Sequence, residues 1–344
     1  MAYIKGQFFI YDGWYFDWFD DDLHGKPEDD TIEGLGGNDN IWGEAGDDKM
    51  YGGDGDDWIL PTESFVIGAW GKDFADGGNG HDTLLFDVTT DDVELWGGGG
   101  WDTVAGGSGN DILYGDNPPY PTKPYNPYPH AEEYYTPAGN DKVYGNDGND
   151  KLVGGLGSDY LDGGDGNDYL YGGDINNFSG WPEDHDTLVG GAGHDVIDAA
   201  NRSDMTGGLG HDRFIVDEVL DELHGGPNHI TDFEAAQDRW IGAWDTIGVA
   251  GPDGTASNYD ECTWDVGAGY DSAKGFAEVY FAADNYIGGN LRYLFMTDSV
   301  NGYFFADTNS NGKIDAAVVL DGLDDLSDFN YKNVVNDPAS DYFF

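Results

Sequence analysis

The sequence predicts an all-β protein: a right-handed parallel β-roll over residues 25–215, an aromatic N-terminal cap over 1–24, and a C-terminal β-rich cap domain over 216–344. Three observations lead there. A nine-residue period rich in Gly and Asp runs through the middle of the chain, Asp greatly exceeds Glu, and the aromatic content is too high for a permanently disordered protein.

Residues 25–60 divide into GKPEDDTIE, GLGGNDNIW, GEAGDDKMY and GGDGDDWIL. The sixth positions are Asp30, Asp39, Asp48 and Asp57, and the eighth are Ile32, Ile41, Met50 and Ile59. Their turn glycines are Gly34, Gly37, Gly43, Gly46, Gly52, Gly53 and Gly55. The pattern resumes at 77 with GGNGHDTLL, which supplies Gly77, Gly78, Gly80 and Asp82. After a degenerate row (86–94) and a two-residue slip come GGGGWDTVA and GGSGNDILY, with Asp102, Gly106, Gly107, Gly109 and Asp111.

A third run, 136–171, reads TPAGNDKVY, GNDGNDKLV, GGLGSDYLD and GGDGNDYLY. It carries Asp141, Asp150, Asp159 and Asp168 with Gly145, Gly148, Gly154, Gly155, Gly157, Gly163, Gly164 and Gly166. A fourth run contributes WPEDHDTLV, GGAGHDVID and GGLGHDRFI, hence Asp186, Asp195 and Asp212 with Gly190, Gly191, Gly193, Gly207, Gly208 and Gly210.

Each fixed position has a physical reason. Glycines admit φ > 0 and let carbonyl oxygens converge where a Cβ would intrude. Asp adds carboxylate oxygens, so these Asp and Gly positions are candidate ligands for a hard cation, with Ca²⁺ expected in multiple copies, roughly ten. The closing triplet is long enough for a short strand whose eighth residue points inward. Two nonapeptides then make one turn, so aspartates 18 residues apart should face one another: Asp30 with Asp48, Asp39 with Asp57, Asp141 with Asp159, Asp150 with Asp168. Less regular pairs are Asp91 with Asp111 and Asp186 with Asp204.

Composition points the same way. The formal net charge of -54 opposes binding to nucleic acid or an anionic membrane surface. Of 68 acidic residues 13 are Glu, leaving 55 Asp beside 56 Gly, a balance suited to turns and cation ligation rather than to generic solvation. The single cysteine, Cys262, excludes an intramolecular disulfide, and no apolar run is long enough to span a bilayer. The first residues, MAYIKGQFFIYDGWYFDWFDDD, lack the features of a cleavable signal peptide.

The nonapeptides resemble those of the RTX family, the repeats-in-toxin proteins whose repeats form calcium-loaded parallel β-rolls. Residues 229–241 (HITDFEAAQDRWI) and 303–329 (YFFADTNSNGKIDAAVVLDGLDDLSDF) resemble the C-terminal domain of serralysin-type secreted metalloproteases. That resemblance implies a bacterial protein at the cell surface or outside the cell, exported by type I secretion machinery. The route reads an uncleaved C-terminal signal, for which Asp341-Tyr342-Phe343-Phe344 is the match. The zinc motif H-E-x-x-H of a serralysin is missing, and His130-Ala131-Glu132-Glu133-Tyr134 lacks the second His.

With no recognisable catalytic motif, the expectation is a protein that is not an enzyme. His81, His194 and His211, each just before a repeat Asp, read as spacing residues on the solvent side of a turn. Asp307–Asp315 resembles the start of an EF-hand loop, but Val318 stands where a bidentate Glu is required, so an Asn/Gly hairpin turn is the better reading.

Three inserts interrupt the repeats: 61–76, the Pro- and Tyr-rich 117–137, and 172–182. The leading expectation is a secreted or surface calcium-binding protein acting in adhesion, matrix or surface assembly, with its aromatic inserts meeting glycans or further copies of the chain. The alternative is a polysaccharide-binding or polysaccharide-modifying factor using 117–137 or the aromatic-rich 240–305 (Trp240, Trp244, Trp264, Tyr280, Tyr293).

Overall fold

A computed structural model describes residues 3–6, 9–11, 14–16, 19–61, 71–116, 139–173, 185–199, 203–216, 227–233, 246–249, 259–263, 270–286, 291–298, 300–307, 313–314, 316–323 and 334–336; for 9–11, 14–16, 246–249, 259–263, 283–286 and 334–336 it describes the backbone. The whole insert 117–137, residues 174–182 of the insert 172–182, the tail 341–344, and Trp240, Trp244 and Trp264 lie outside the described residues. The chain forms two compact units, Met1–Asp168 and Tyr169–Phe344.

In the first unit, strands fall alternately into two parallel sheets. One runs Tyr3–Lys5, Thr31–Gly36, Lys49–Asp54, Phe74–Asn79, Glu94–Gly99, Ile112–Asp116, Lys151–Gly155. The other runs Asp22–His24, Asn40–Trp42, Trp58–Leu60, Thr83–Leu85, Thr103–Ala105, Lys142–Asp147, Tyr160–Asp165. The eighth-position residue of each repeat points between the sheets. Ile32, Met50, Ala75, Leu95, Leu113 and Leu152 stack in register on one side, and Leu23, Ile41, Ile59, Leu84, Val104, Val143 and Leu161 on the other. All but Leu23 are wholly buried. One aliphatic side chain per strand makes a thin core, worth about 1.5–3 kcal/mol for each large one.

Register shows where the repeat reading needs correction. Tyr3–Lys5 pairs with Thr31–Glu33, and Asp22–His24 pairs with Asn40–Trp42, so the segment expected as a cap already contributes rolled strands. Residues 68–76, expected as part of an insert, are a repeat (GAWGKDFAD) whose sixth residue is Asp73 and whose eighth, Ala75, is buried. Its signal was weak because one Gly pair is replaced and the apolar position holds only Ala. The two-residue slip falls before the degenerate row instead of after it: Leu95 is the inward residue, and Val93 takes the sixth position.

Gly115-Asp116 and Ala138-Gly139-Asn140-Asp141 are two halves of one nonapeptide, split after its second residue by 117–137. Gly115 faces Asp141 as other first-position glycines face their own aspartates.

In the second unit, one parallel sheet contains Tyr169–Gly173, Val196–Asp198, Arg213–Ile215, Thr246–Val249 and Val334–Asn336. The other contains Asp186–Gly193, Ser203–Gly210, Asn228–Ile230 and Ala316–Asp321, and continues antiparallel into Asn301–Ala306 and Tyr293–Thr297, beside which Tyr259–Thr263 lies parallel. The hairpin expected around 307–315 is therefore flanked by strands that do pair antiparallel.

The helix Tyr270–Tyr286 was not anticipated. It packs Ala273, Ala277 and Phe281, one per turn, onto Leu294, Met296, Tyr303, Phe305, Ala317 and Val319. Tyr293 is wholly buried and stacked on Phe304, so it is core and not a recognition surface. Among the described residues no helix is long and apolar enough to cross a membrane.

Candidate metal centre

Each repeat turns through its G-G-x-G-x-D half. Gly53 and Gly55 have φ of 119° and 140°, values that L side chains rarely adopt. Leu35, Glu44 and Asn146 occupy the same second position as Gly53 and are forced to φ of 89°, 78° and 74°. The first-position glycine has another reason. A Cβ on Gly115 would lie 2.6 Å from Asp141 Oδ2 and against the Gly154 carbonyl oxygen, and one on Gly97 would lie 2.7 Å from Asp102 Oδ2 and against the Gly115 carbonyl. Carboxylate and carbonyl oxygens thus close on a point that only glycine leaves open.

The sixth-position aspartates form two ladders in the first unit. The Asp21 N–H donates to Asp39 Oδ1 at 2.8 Å, and the step repeats at 2.8 Å from Asp39 to Asp57, Asp57 to Asp82, Asp82 to Asp102, Asp102 to Asp141 and Asp141 to Asp159. On the other side Asp30 donates to Asp48 at 2.8 Å, Asp48 to Asp73 at 3.0 Å, Val93 to Asp111 at 2.9 Å, Asp111 to Asp150 at 2.7 Å, and Asp150 to Asp168 at 2.8 Å. In the second unit Asp195 donates to Asp212 at 3.0 Å.

The four regular pairs expected from the 18-residue spacing are all present. The two irregular ones are corrected. Asp111 faces Val93, while Asp91 accepts the Gly71 N–H; and Asp186 faces Ser203, because the degenerate row there is one residue short. Asp21 and Asp73 are ladder members the sequence reading missed; Asp21 sits five residues before Lys26 in an FDWFDDDLH stretch whose glycines are absent.

All fourteen expected aspartates are buried. One oxygen of each donor–acceptor step is satisfied by a backbone N–H. In five of them the other oxygen is not: Oδ2 of Asp57, Asp82, Asp102, Asp141 and Asp150 is buried without a hydrogen-bond partner, whereas Asp111 Oδ2 accepts the Gly107 N–H at 2.8 Å. Burial, ahead of neighbouring carboxylates, raises these groups far above the usual carboxylate range: Asp57, Asp102 and Asp150 to about 7, Asp141 to about 8, Asp82 to about 9. Burial also lifts Asp48 to about 7 and Asp73 and Asp168 to about 6, and pushes Asp111 and Asp212 upward.

An array of buried, unpartnered, mutually repelling oxygens beside carbonyls fits a hard divalent cation. Among the described residues no three acidic, His or Cys side chains converge to hold an ion by themselves, and the oxygens beside the carboxylates are glycine carbonyls of the adjacent turn.

A second ladder, unforeseen from sequence, runs on the solvent side through the fifth positions. Asn38 donates its N–H to Asp20 Oδ1, Asp56 to Asn38 Oδ1, His81 to Asp56 Oδ1, and Trp101 to His81 Nδ1, at 2.9, 3.1, 2.9 and 2.9 Å. His211 donates likewise to His194 Nδ1 at 2.9 Å, with the two rings stacked. The fifth position is Asn, Asp, Ser or His in most repeats, and of these Asn, Asp and His carry an acceptor atom that reaches the backbone N–H one turn onward. His81 and His194 are therefore structural acceptors and more than spacing.

Comparison with known families agrees. A family model for the RTX calcium-binding nonapeptide repeat (4 copies) matches residues 19–59, 64–84, 88–117, 138–161, 144–178 and 183–201. The matches begin before residue 25 and cover the repeat around Asp73, as the strands do. No curated protein matches the chain. Within residues 19–201 the roll is built of RTX calcium-binding nonapeptide repeats.

Proposed function

We propose that this is a secreted or cell-surface protein that folds on calcium after export and acts in adhesion, matrix or surface assembly. The observation that carries the reading is the row of buried aspartates whose second oxygens lack hydrogen-bond donors and face first-position glycines. The sixth-position aspartates, with glycine carbonyls of adjacent turns such as those of Gly77, Gly97, Gly154 and Gly163, are the residues that would hold the ions. Bound calcium supplies the positive charge that this array lacks.

Energetics make the coupling to folding specific. The core is one apolar side chain per strand, too little to offset the chain entropy of ordering nine residues. A site with a dissociation constant of about 0.1 mM at about 1 mM calcium contributes about 1.4 kcal/mol by linkage. At cytosolic calcium that contribution vanishes, and the -54 formal charge favours an open chain suited to export. RTX repeats occur typically in exported proteins, which supports the location.

The test is circular dichroism with sedimentation velocity, first in EDTA and then on adding calcium. A cooperative coil-to-β transition with compaction is expected, and growth of large species would support the assembly role. A chain already folded in EDTA and indifferent to calcium would refute the reading.

A further inference from the structure

Asp116 stands outside the sixth-position pattern. It is the second residue of the split nonapeptide, and its strand pairs it with Gly98, beyond which Gly78 and Gly53 hold the same place. A carboxylate therefore sits where three stacked turns have glycine. Its Oδ2 accepts the Leu156 N–H at 2.7 Å, and its side chain packs against Gly155. Its Oδ1 is buried without a hydrogen-bond partner, in a residue only 7% exposed.

Two further oxygens converge beside the neighbouring residue, Gly115. Asp102 Oδ2 is likewise buried and unpartnered, and it closes on the Gly97 position together with the carbonyl of Gly115, the residue bonded to Asp116.

We propose that Asp116 is a calcium ligand: its Oδ1, with Asp102 Oδ2 and the Gly115 carbonyl, forms a site at the split repeat. The second position of this repeat is followed by the 21-residue segment 117–137, and Asp116 brings to it a buried side-chain oxygen that its glycine counterparts lack. The charge is the telling feature. An Asn would accept the Leu156 N–H equally well, so a role confined to that hydrogen bond gives no reason to bury an anion.

This inference rests on the calcium reading above, and one experiment separates the two. Calcium binding to the full chain is measured by calorimetry for the wild type, Asp57→Asn and Asp116→Asn, with circular dichroism in saturating calcium confirming that each variant folds. Asp116→Asn keeps an acceptor for Leu156, and it is expected to lose one calcium equivalent or to weaken one site by about tenfold, as Asp57→Asn does. A loss in Asp57→Asn with none in Asp116→Asn overturns the assignment of Asp116 alone. A wild type that takes up no calcium overturns both.

Discussion

At Leu35, Glu44 and Asn146 the repeat imposes a left-handed backbone on residues that bear a Cβ. Leu35 is the costliest, since it has neither the local hydrogen bonding of Asn nor a charge to solvate. Leu35→Gly is expected to stabilise the calcium-loaded roll by about 1 kcal/mol, read as a shift in the urea midpoint. Gly115→Ala runs the other way although its backbone is ordinary. The new methyl meets Asp141 Oδ2 and the Gly154 carbonyl, and a cost of about 1–3 kcal/mol is expected in the same assay. Asp57→Asn should change sign with conditions. In EDTA at neutral pH it removes a buried, donor-poor carboxylate and stabilises, on the order of 1 kcal/mol. In calcium at ten times the dissociation constant it forfeits about 1.4 kcal/mol of linkage. The same sign in both buffers would show that Asp57 holds no ion.

The ladder is the element in which these residues act together, and it sets an unusual pH dependence. Burial raises Asp57, Asp102 and Asp150 to about 7, Asp141 to about 8 and Asp82 to about 9, against an ordinary value of 3.8. The folded, metal-free ladder therefore binds more protons than the unfolded chain between those limits. Its contribution is full below about 3.8 and is lost as pH rises through about 7–9. In EDTA the roll should be more ordered at mildly acidic than at alkaline pH, the reverse of ordinary acid denaturation, as circular dichroism against pH will show. Calcium demands the deprotonated form, so uptake at neutral pH should release protons, measurable by calorimetry in buffers of different ionisation enthalpy. No net release would contradict the buried ladder.

At the scale of the molecule, the roll tolerates interruption because successive turns are held by register and not by sequence proximity. Ladder steps span 18 residues where the repeat is unbroken, 25 and 20 where residues intrude early, and 39 across the split repeat. Removing residues 117–137 rejoins Gly115-Asp116 to Ala138-Gly139-Asn140-Asp141 and restores a nonapeptide, GDAGNDKVY. That deletion is expected to leave the calcium-induced transition intact, since loop closure changes only slowly with length. A collapsed calcium response would mean that the inserted segment is part of the fold.

The period, the sixth-position aspartates and the inward eighth residues were legible in the sequence because they are local: a turn that needs glycine and a strand that needs one apolar residue repeat every nine positions. Asp48 opposite Asp30 follows from spacing alone. The rows with little Gly were not legible, since Asp21, Asp73 and Val93 are recognised only by what lies one turn away. The fifth-position ladder escaped for the same reason: an Asn or His side chain looks like solvated filler until the next turn presents its N–H. The helix Tyr270–Tyr286 was masked by a weak stripe of two alanines and a phenylalanine, a face that gains meaning only against the buried strands beneath it. Sequence determined the repeating unit, because its constraints are steric and close in the chain. Tertiary structure decided which units stack and which oxygens are left without donors, because those depend on partners 17 to 39 residues away.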